Sequence, residues 1–203
     1  MTEKKELLVE PVLFDVGELM PVVVPVLPPE PKIVEVDLTE PFPFTPLTGA
    51  RFSEDKKCRY NLWRRFKEVG RTMLVLGVNP SIAGAVDNDP TVSRLESFAK
   101  RDEFALLVVG NLFAYVSTDP EDLKFAHDPI GPENDAWLVK MRKMADVCIC
   151  AWGNNGRLFG RDKKVIELLR PLGPLHCFGL NKTGTPRHPL YLSGKTPIIE
   201  FGV

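Results

Sequence analysis

The sequence predicts an α/β fold: a three-layer αβα arrangement around a central, mainly parallel four-stranded sheet. Three observations predict it. From Cys58 onward, short apolar runs alternate with stretches of helical character, the pattern of successive strand–helix units. The runs are apolar throughout rather than every second residue, as in strands buried on both faces. Several of them end in polar residues beside proline or glycine, where a chain leaves a strand and turns.

The elements follow in order. Residues 59–68 read as a short helix carrying Leu62, Trp63 and Phe66. Residues 72–78 read as a buried strand, 91–101 as a helix and 105–110 as a second strand. Residues 133–145 read as a helix, with Pro132 suited to its first turn. A third strand is expected over 146–151, a helix over 162–170 and a fourth strand over 175–179. No internal repeat is evident.

Two parts are expected: a proline-rich, acidic, extended leader over 1–46, and one α/β domain over 47–203. The leader holds three lysines against nine acids, a net of -6, so the overall charge of -1 leaves the rest of the chain at +5. A basic core suits a polyanionic partner, although a solvated surface accounts for +5 equally well. The leader's segments 21–27 and 33–38 are too apolar for a plain disordered tail, so it is expected to lie on the core or on a neighbouring subunit of a homo-oligomer.

Cys58, Cys148, Cys150 and Cys177 form no CxxC pair, and the three histidines are far apart, so neither a metal nor a cofactor is expected. Buried reduced thiols point to a reducing compartment, the cytoplasm. No signal peptide is visible, and no apolar stretch is long enough to span a bilayer.

The strand ends carry the chemistry. The first ends in Asn79-Pro80-Ser81 and the second in Asn111-Leu112-Phe113-Ala114-Tyr115. The third ends in Ala151-Trp152-Gly153-Asn154, and the fourth leads to Arg187-His188-Pro189. Loops at the carboxyl ends of parallel strands are where α/β sheets bind ligands. Each piece alone is also an ordinary turn former. Arg157, Arg161 and Lys163, near the start of the 162–170 helix, are candidate contacts to a phosphate, which the resemblance described next would make a DNA phosphate.

Taken in order, the set resembles the uracil-DNA glycosylase superfamily over about residues 58–195. Gly77-Val78-Asn79-Pro80 is similar to its first motif, in the form with Asn rather than Asp. Asn111 matches the base-reading Asn, Cys150-Ala151-Trp152-Gly153 the third-strand signature, and His188-Pro189 the second catalytic motif. A closer resemblance is to the family called domain of unknown function sixteen forty-three. It rests on Asn79-Pro80-Ser81, Asn88-Asp89-Pro90-Thr91, Asn111-Leu112-Phe113-Ala114-Tyr115, Asp128-Pro129 with Gly131-Pro132-Glu133-Asn134-Asp135-Ala136-Trp137-Leu138, and Pro186-Arg187-His188-Pro189-Leu190-Tyr191.

The glycosylase resemblance implies a hydrolase that removes a uracil-like or modified base from DNA. Asn79 would orient the attacking water. His188 would donate a hydrogen bond to the departing base, a contribution of about 2.7–4 kcal/mol, or roughly 100–1000-fold in rate. Asn111 would read the base edge, with Ser81 and Arg187 near the substrate. Phe113, Tyr115 and Trp152 are the candidate stacking surfaces, or else core. Asp87 or Asp89 would replace the missing water-activating carboxylate, or cap the following helix. Leu190-Tyr191 departs from the small polar residues of the glycosylase pattern. The alternatives are a non-catalytic nucleic-acid-binding module and an enzyme acting on free nucleotides.

Overall fold

Successive side chains of the central strands point to opposite faces of the sheet, both of them buried, and that alternation builds two cores. The computed structural model describes residues 47–81 and 89–202; the 1–46 leader and Asp87 lie outside them. The elements are β1 (Thr48–Phe52), β2 (Arg59–Arg65), β3 (Thr72–Gly77), α1 (Pro90–Arg101), β4 (Leu106–Asn111), α2 (Asn134–Met144), β5 (Val147–Cys150), α3 (Arg161–Leu169), β6 (Leu175–Cys177) and β7 (Ile199–Glu200). Short 3-10 turns link several of them.

Leu74 and Leu76 of β3, Leu106 and Val108 of β4, and Cys148 and Cys150 of β5 face one core, which α2 and α3 cover with Trp137, Leu138, Met141, Val165 and Leu169. Met73, Val75, Leu107, Val109 and Ile149 face the other, covered by Val92, Leu95, Phe98 and Ala99 of α1. This is the period-2 geometry of a strand buried on both sides. Each such apolar side chain contributes about 1.5–3 kcal/mol by leaving water. All four cysteines are buried and unpaired.

Among the described residues the sheet has seven strands, in the order β1-β2-β4-β3-β5-β6-β7. β4, β3, β5 and β6 run parallel to one another, whereas β1, β2 and β7 join antiparallel. The α/β class and the helices on both faces are as expected; the four-stranded sheet is corrected to a mixed, seven-stranded one. β1 and β7 are the edge strands and carry exposed positions; β1 pairs with β2, the next element in the chain, and β7 with β6.

The helix expected over 59–68 is a strand. β2 lies between β1 and β4 and is buried on both faces, with Leu62 in the α1 core and Trp63 in the other. A doubly buried strand has no polar face, so the Leu62, Trp63 and Phe66 spacing imitated a helical stripe. Arg59 and Arg64 of β2 are buried too, and Arg64 pairs with Glu96 of α1 at 3.3 Å.

α1 starts where it does because Asp89 caps it, accepting from the Val92 backbone N–H at 2.7 Å, and Pro90 occupies its first turn. Lys100 and Arg101 in its last turn oppose the negative end of the helix dipole. No helix among the described residues is long and apolar enough to cross a membrane.

Candidate active site at the carboxyl ends of the strands

The ends of β3, β4 and β5 and the loop after β6 enclose a cleft of about 530 Å³. α1 leaves β3 toward one face and α3 follows β5 on the other, so the cleft sits where neighbouring connections diverge. Asn79, Ser81, Asp89, Asn111, Trp152, Arg187 and His188 all line it.

Asn79 follows β3 and is held by its amide. Its Nδ2 donates to the Ser117 carbonyl at 2.8 Å and to the Pro80 carbonyl at 3.3 Å. Ser117 N–H in turn donates to Pro80 O, so the loop after β4 is tied to the Asn-Pro turn at both ends of one residue. With both donor contacts on nitrogen, Oδ1 is the acceptor left for a ligand. Ser81 Oγ donates to Asp89 Oδ2 at 2.7 Å, while Oδ1 caps α1.

Asn111 is 4 % exposed, and its side chain has no hydrogen-bond partner among the described residues. Its position depends on Gly77, its register partner on β3. A Cβ at Gly77 would stand 2.8 Å from Asn111 Oδ1, too close for the amide to remain. Asn134 anchors the backbone beneath, donating to the carbonyls of Asn111 and Leu112 at 3.1 and 3.0 Å.

His188 is half-buried. Its Nδ1 accepts from the Leu190 backbone N–H at 3.4 Å, which leaves Nε2 as the N–H donor of a neutral ring. Burial lowers its pKa below the ordinary 6.5, with the Asp89 carboxylate pulling the other way. The His188 loop is pinned to the end of β5: Gly153 N–H donates to Pro186 O at 2.9 Å. Asn154 Oδ1 accepts from Thr183 and Thr185 hydroxyls at 2.8 and 2.6 Å. Gly153 adopts φ 64°, a conformation disfavoured for other residues, and its absent Cβ would lie 3.6 Å from His188 Cβ.

Of the remaining sequence-derived candidates, all but Trp152 lie elsewhere. Phe113 is fully buried, its ring edge-on to Phe159. Tyr115 lines a separate cavity and bridges to Cys58. Arg161 is 2 % exposed; its Nε donates to Leu112 O at 2.8 Å and Nη2 pairs with Asp135. Arg157 is exposed and donates to Thr183 O, and Lys163 is exposed on α3. Trp152 contributes to the cleft wall, yet its ring is 1 % exposed and edge-on to Phe201.

Sequence reasoning missed three contributors. Arg59 of β2 lines the cleft at 3 % exposure; burial lowers its pKa to about 10, while Asp89 opposes the shift. Ser117 acts through its backbone carbonyl, which no residue type signals. Tyr191, 86 % exposed at the cleft, was visible in the Pro186–Tyr191 stretch and as a departure from the glycosylase pattern, with no role assigned to it. Among the described residues, no group of three or more His, Cys, Asp or Glu side chains is placed to hold a metal ion.

Residues 59–190, from Arg59 through His188 and including β2 to β6, match the model of the family described as "Protein of unknown function (DUF1643)". The chain belongs to this family. Its matched region thus carries Asn79, Asn111, His188 and the buried Arg59, while β1, β7 and Tyr191 fall outside it. No curated protein and no solved structure matches the chain.

Proposed function

We propose that this protein hydrolyses the N-glycosidic bond of a uracil-like or modified base in DNA, on a glycosylase-like α/β scaffold. The observation that carries the reading is the convergence of Asn79, Asn111 and His188, from three separate segments, on one cleft. Its volume is in the range that holds a small organic group, such as a base turned out of the stack.

Breaking the bond builds positive charge on the sugar and negative charge on the base. Asn79 Oδ1 accepts a hydrogen bond from the attacking water and sets its direction; an amide cannot remove the proton, so as the water oxygen bonds to the sugar carbon and the carbon–nitrogen bond breaks, that proton passes through solvent to the released base anion. Asp89 has both oxygens engaged, by Val92 N–H and by Ser81 Oγ, so it serves as a fixed negative charge for the developing sugar cation rather than as a mobile base. His188 Nε2–H donates to the departing base as charge grows there. Asn111 presents one donor and one acceptor to the base edge. Arg187 and Tyr191, both exposed at the mouth, are placed to meet a phosphate and an unstacked neighbouring base.

The test is incubation of the full chain with oligonucleotides carrying uracil, modified thymines and modified cytosines, followed by detection of abasic sites. Abasic product on at least one of them is expected. Folded protein that produces none across the panel removes the reading. Salt-dependent binding without turnover would instead favour a non-catalytic DNA-binding module.

A further inference from the structure

The cleft at the strand ends has a polar rim and an apolar floor. Residues two apart on a strand share a face, so Gly77 stands above Val75, and Asn111 above Val109, on the face that α1 covers. Gly77 is in register with Asn111, and Val75 with Val109. The valine pair therefore lies about 6.6 Å deeper in the sheet. Both pairs line the cleft, and Ala151, Leu192, and Val92 and Leu95 of α1 complete the apolar floor. The polar residues enter at the level of Asn111 or beyond it. Asp89 precedes the first turn of α1. Arg59 starts β2 past the end of β4, its backbone N–H donating to Ala114 O at 2.8 Å, and its charge is favoured by Asp89. One step deeper the core is closed: the next register pair, Met73 and Leu107, is fully buried, Phe98 stacks on Phe178 at 4.6 Å, and none of these four lines the cleft.

Two observations make this floor a ligand's recess rather than a remnant of the core. Asn111 lines the cleft, is nine-tenths buried, and has no hydrogen-bond partner for its side chain among the described residues. A buried amide in that state is costly unless a ligand meets it. Gly77 places no side chain between that amide and Val75, and a Cβ there would meet Asn111 Oδ1 at 2.8 Å. A bare pyrimidine held by Asn111 leaves Val75 and Val109 below it without a partner, and apolar walls gain free energy when apolar atoms replace water against them.

We infer that the base this cleft takes is a pyrimidine carrying a short apolar substituent at its 5 position, seated on Val75, Val109 and Leu95 beneath Asn111. The 5 carbon adjoins the hydrogen-bonding edge of the ring, so a group there runs past the amide that reads that edge and down to the floor. The inference rests on the reading of the cleft as a base site and names the class of base; it does not require that the glycosidic bond be cut.

The experiment is calorimetric titration of the full chain with the free bases uracil, thymine, 5-ethyluracil and 5-propyluracil, beside base release from oligonucleotides carrying the same four. Affinity is expected to rise about four-fold for each added carbon, the worth of one buried methylene. Ala151→Val narrows the floor and should remove the gain of the propyl base over uracil. Leu192→Ala widens it and should move the preference to 5-butyluracil. The parent series decides alone if neither variant folds. Graded binding without base release from any oligonucleotide supports the recess and removes the hydrolytic reading. Base release from the uracil oligonucleotide with a flat binding series keeps that reading and overturns the recess. No binding of 5-propyluracil, or a propyl-to-uracil ratio unchanged in a folded Ala151→Val variant, overturns it as well.

Discussion

Asn79 Nδ2 and the Ser117 carbonyl are joined at 2.8 Å across 38 positions of chain, and this contact decides which face of the amide a ligand meets. It also couples the Asn-Pro turn to the loop after β4, whose Thr118 and Pro120 line the same cleft. Replacing the amide with a carboxylate sets an acceptor against two carbonyls. Asn79→Asp should therefore lower stability by about 1–3 kcal/mol and speed amide exchange around Ser117. A urea midpoint unchanged from the parent would show that the contact does not anchor the loop.

His188 carries the pH dependence. Its folded pKa lies below 6.5, so between the two values the unfolded chain binds more protons than the folded one. The stability it contributes is complete above about pH 6.5 and is lost as the pH falls through the lowered value. Protonation also removes Nδ1 as the acceptor of Leu190 N–H. Base release is expected to stay flat above pH 6.5 and to fall on the acid side, with that acid limb absent in the residual activity of His188→Gln. An identical limb in the variant would assign the titration to another group.

Gly77→Ala tests the placing of Asn111. The new Cβ would stand 2.8 Å from Oδ1, and the amide would have to turn away. The effect should fall on substrate binding and turnover, while the fold loses at most about 1–3 kcal/mol, the range for overpacking a tight site. Activity equal to the parent would mean that Asn111 is not held in its working position by this contact.

Arg161 separates a structural role from a DNA-binding one. Breaking a buried ion pair costs about 3–5 kcal/mol; because Asp135 is 31 % exposed, Arg161→Met should sit at or below the lower end. DNA affinity should match the parent under conditions where the variant is folded. A normal denaturation midpoint with a reduced salt dependence of DNA binding would restore the phosphate role.

Among the described elements, β3 to β6 were legible as short runs apolar throughout, and α1, α2 and α3 as stretches of helical character between them. β2 was not: Leu62 and Trp63 feed opposite cores, and Arg59, Asn61, Arg64 and Arg65 break the apolar run that marked the other buried strands. Misplacing β2 on a helix also hid Arg59, whose approach to the cleft follows from the pairing of β2 with β4. Asn79 and His188 were legible because a proline beside a polar residue marks a strand's exit. Phe113 and Tyr115 stood beside Asn111 in sequence, but depth in the sheet, not sequence distance, decides which rings reach the cleft.

The central claim is that Asn79 and His188 act together on one glycosidic bond. Its most direct test is the single-turnover rate of base release, measured for the parent, Asn79→Ala and His188→Ala on the substrate found in the oligonucleotide panel. The account predicts that each variant is slower by about 100-fold or more while the fold is retained. Rates equal to the parent's in both variants would contradict it.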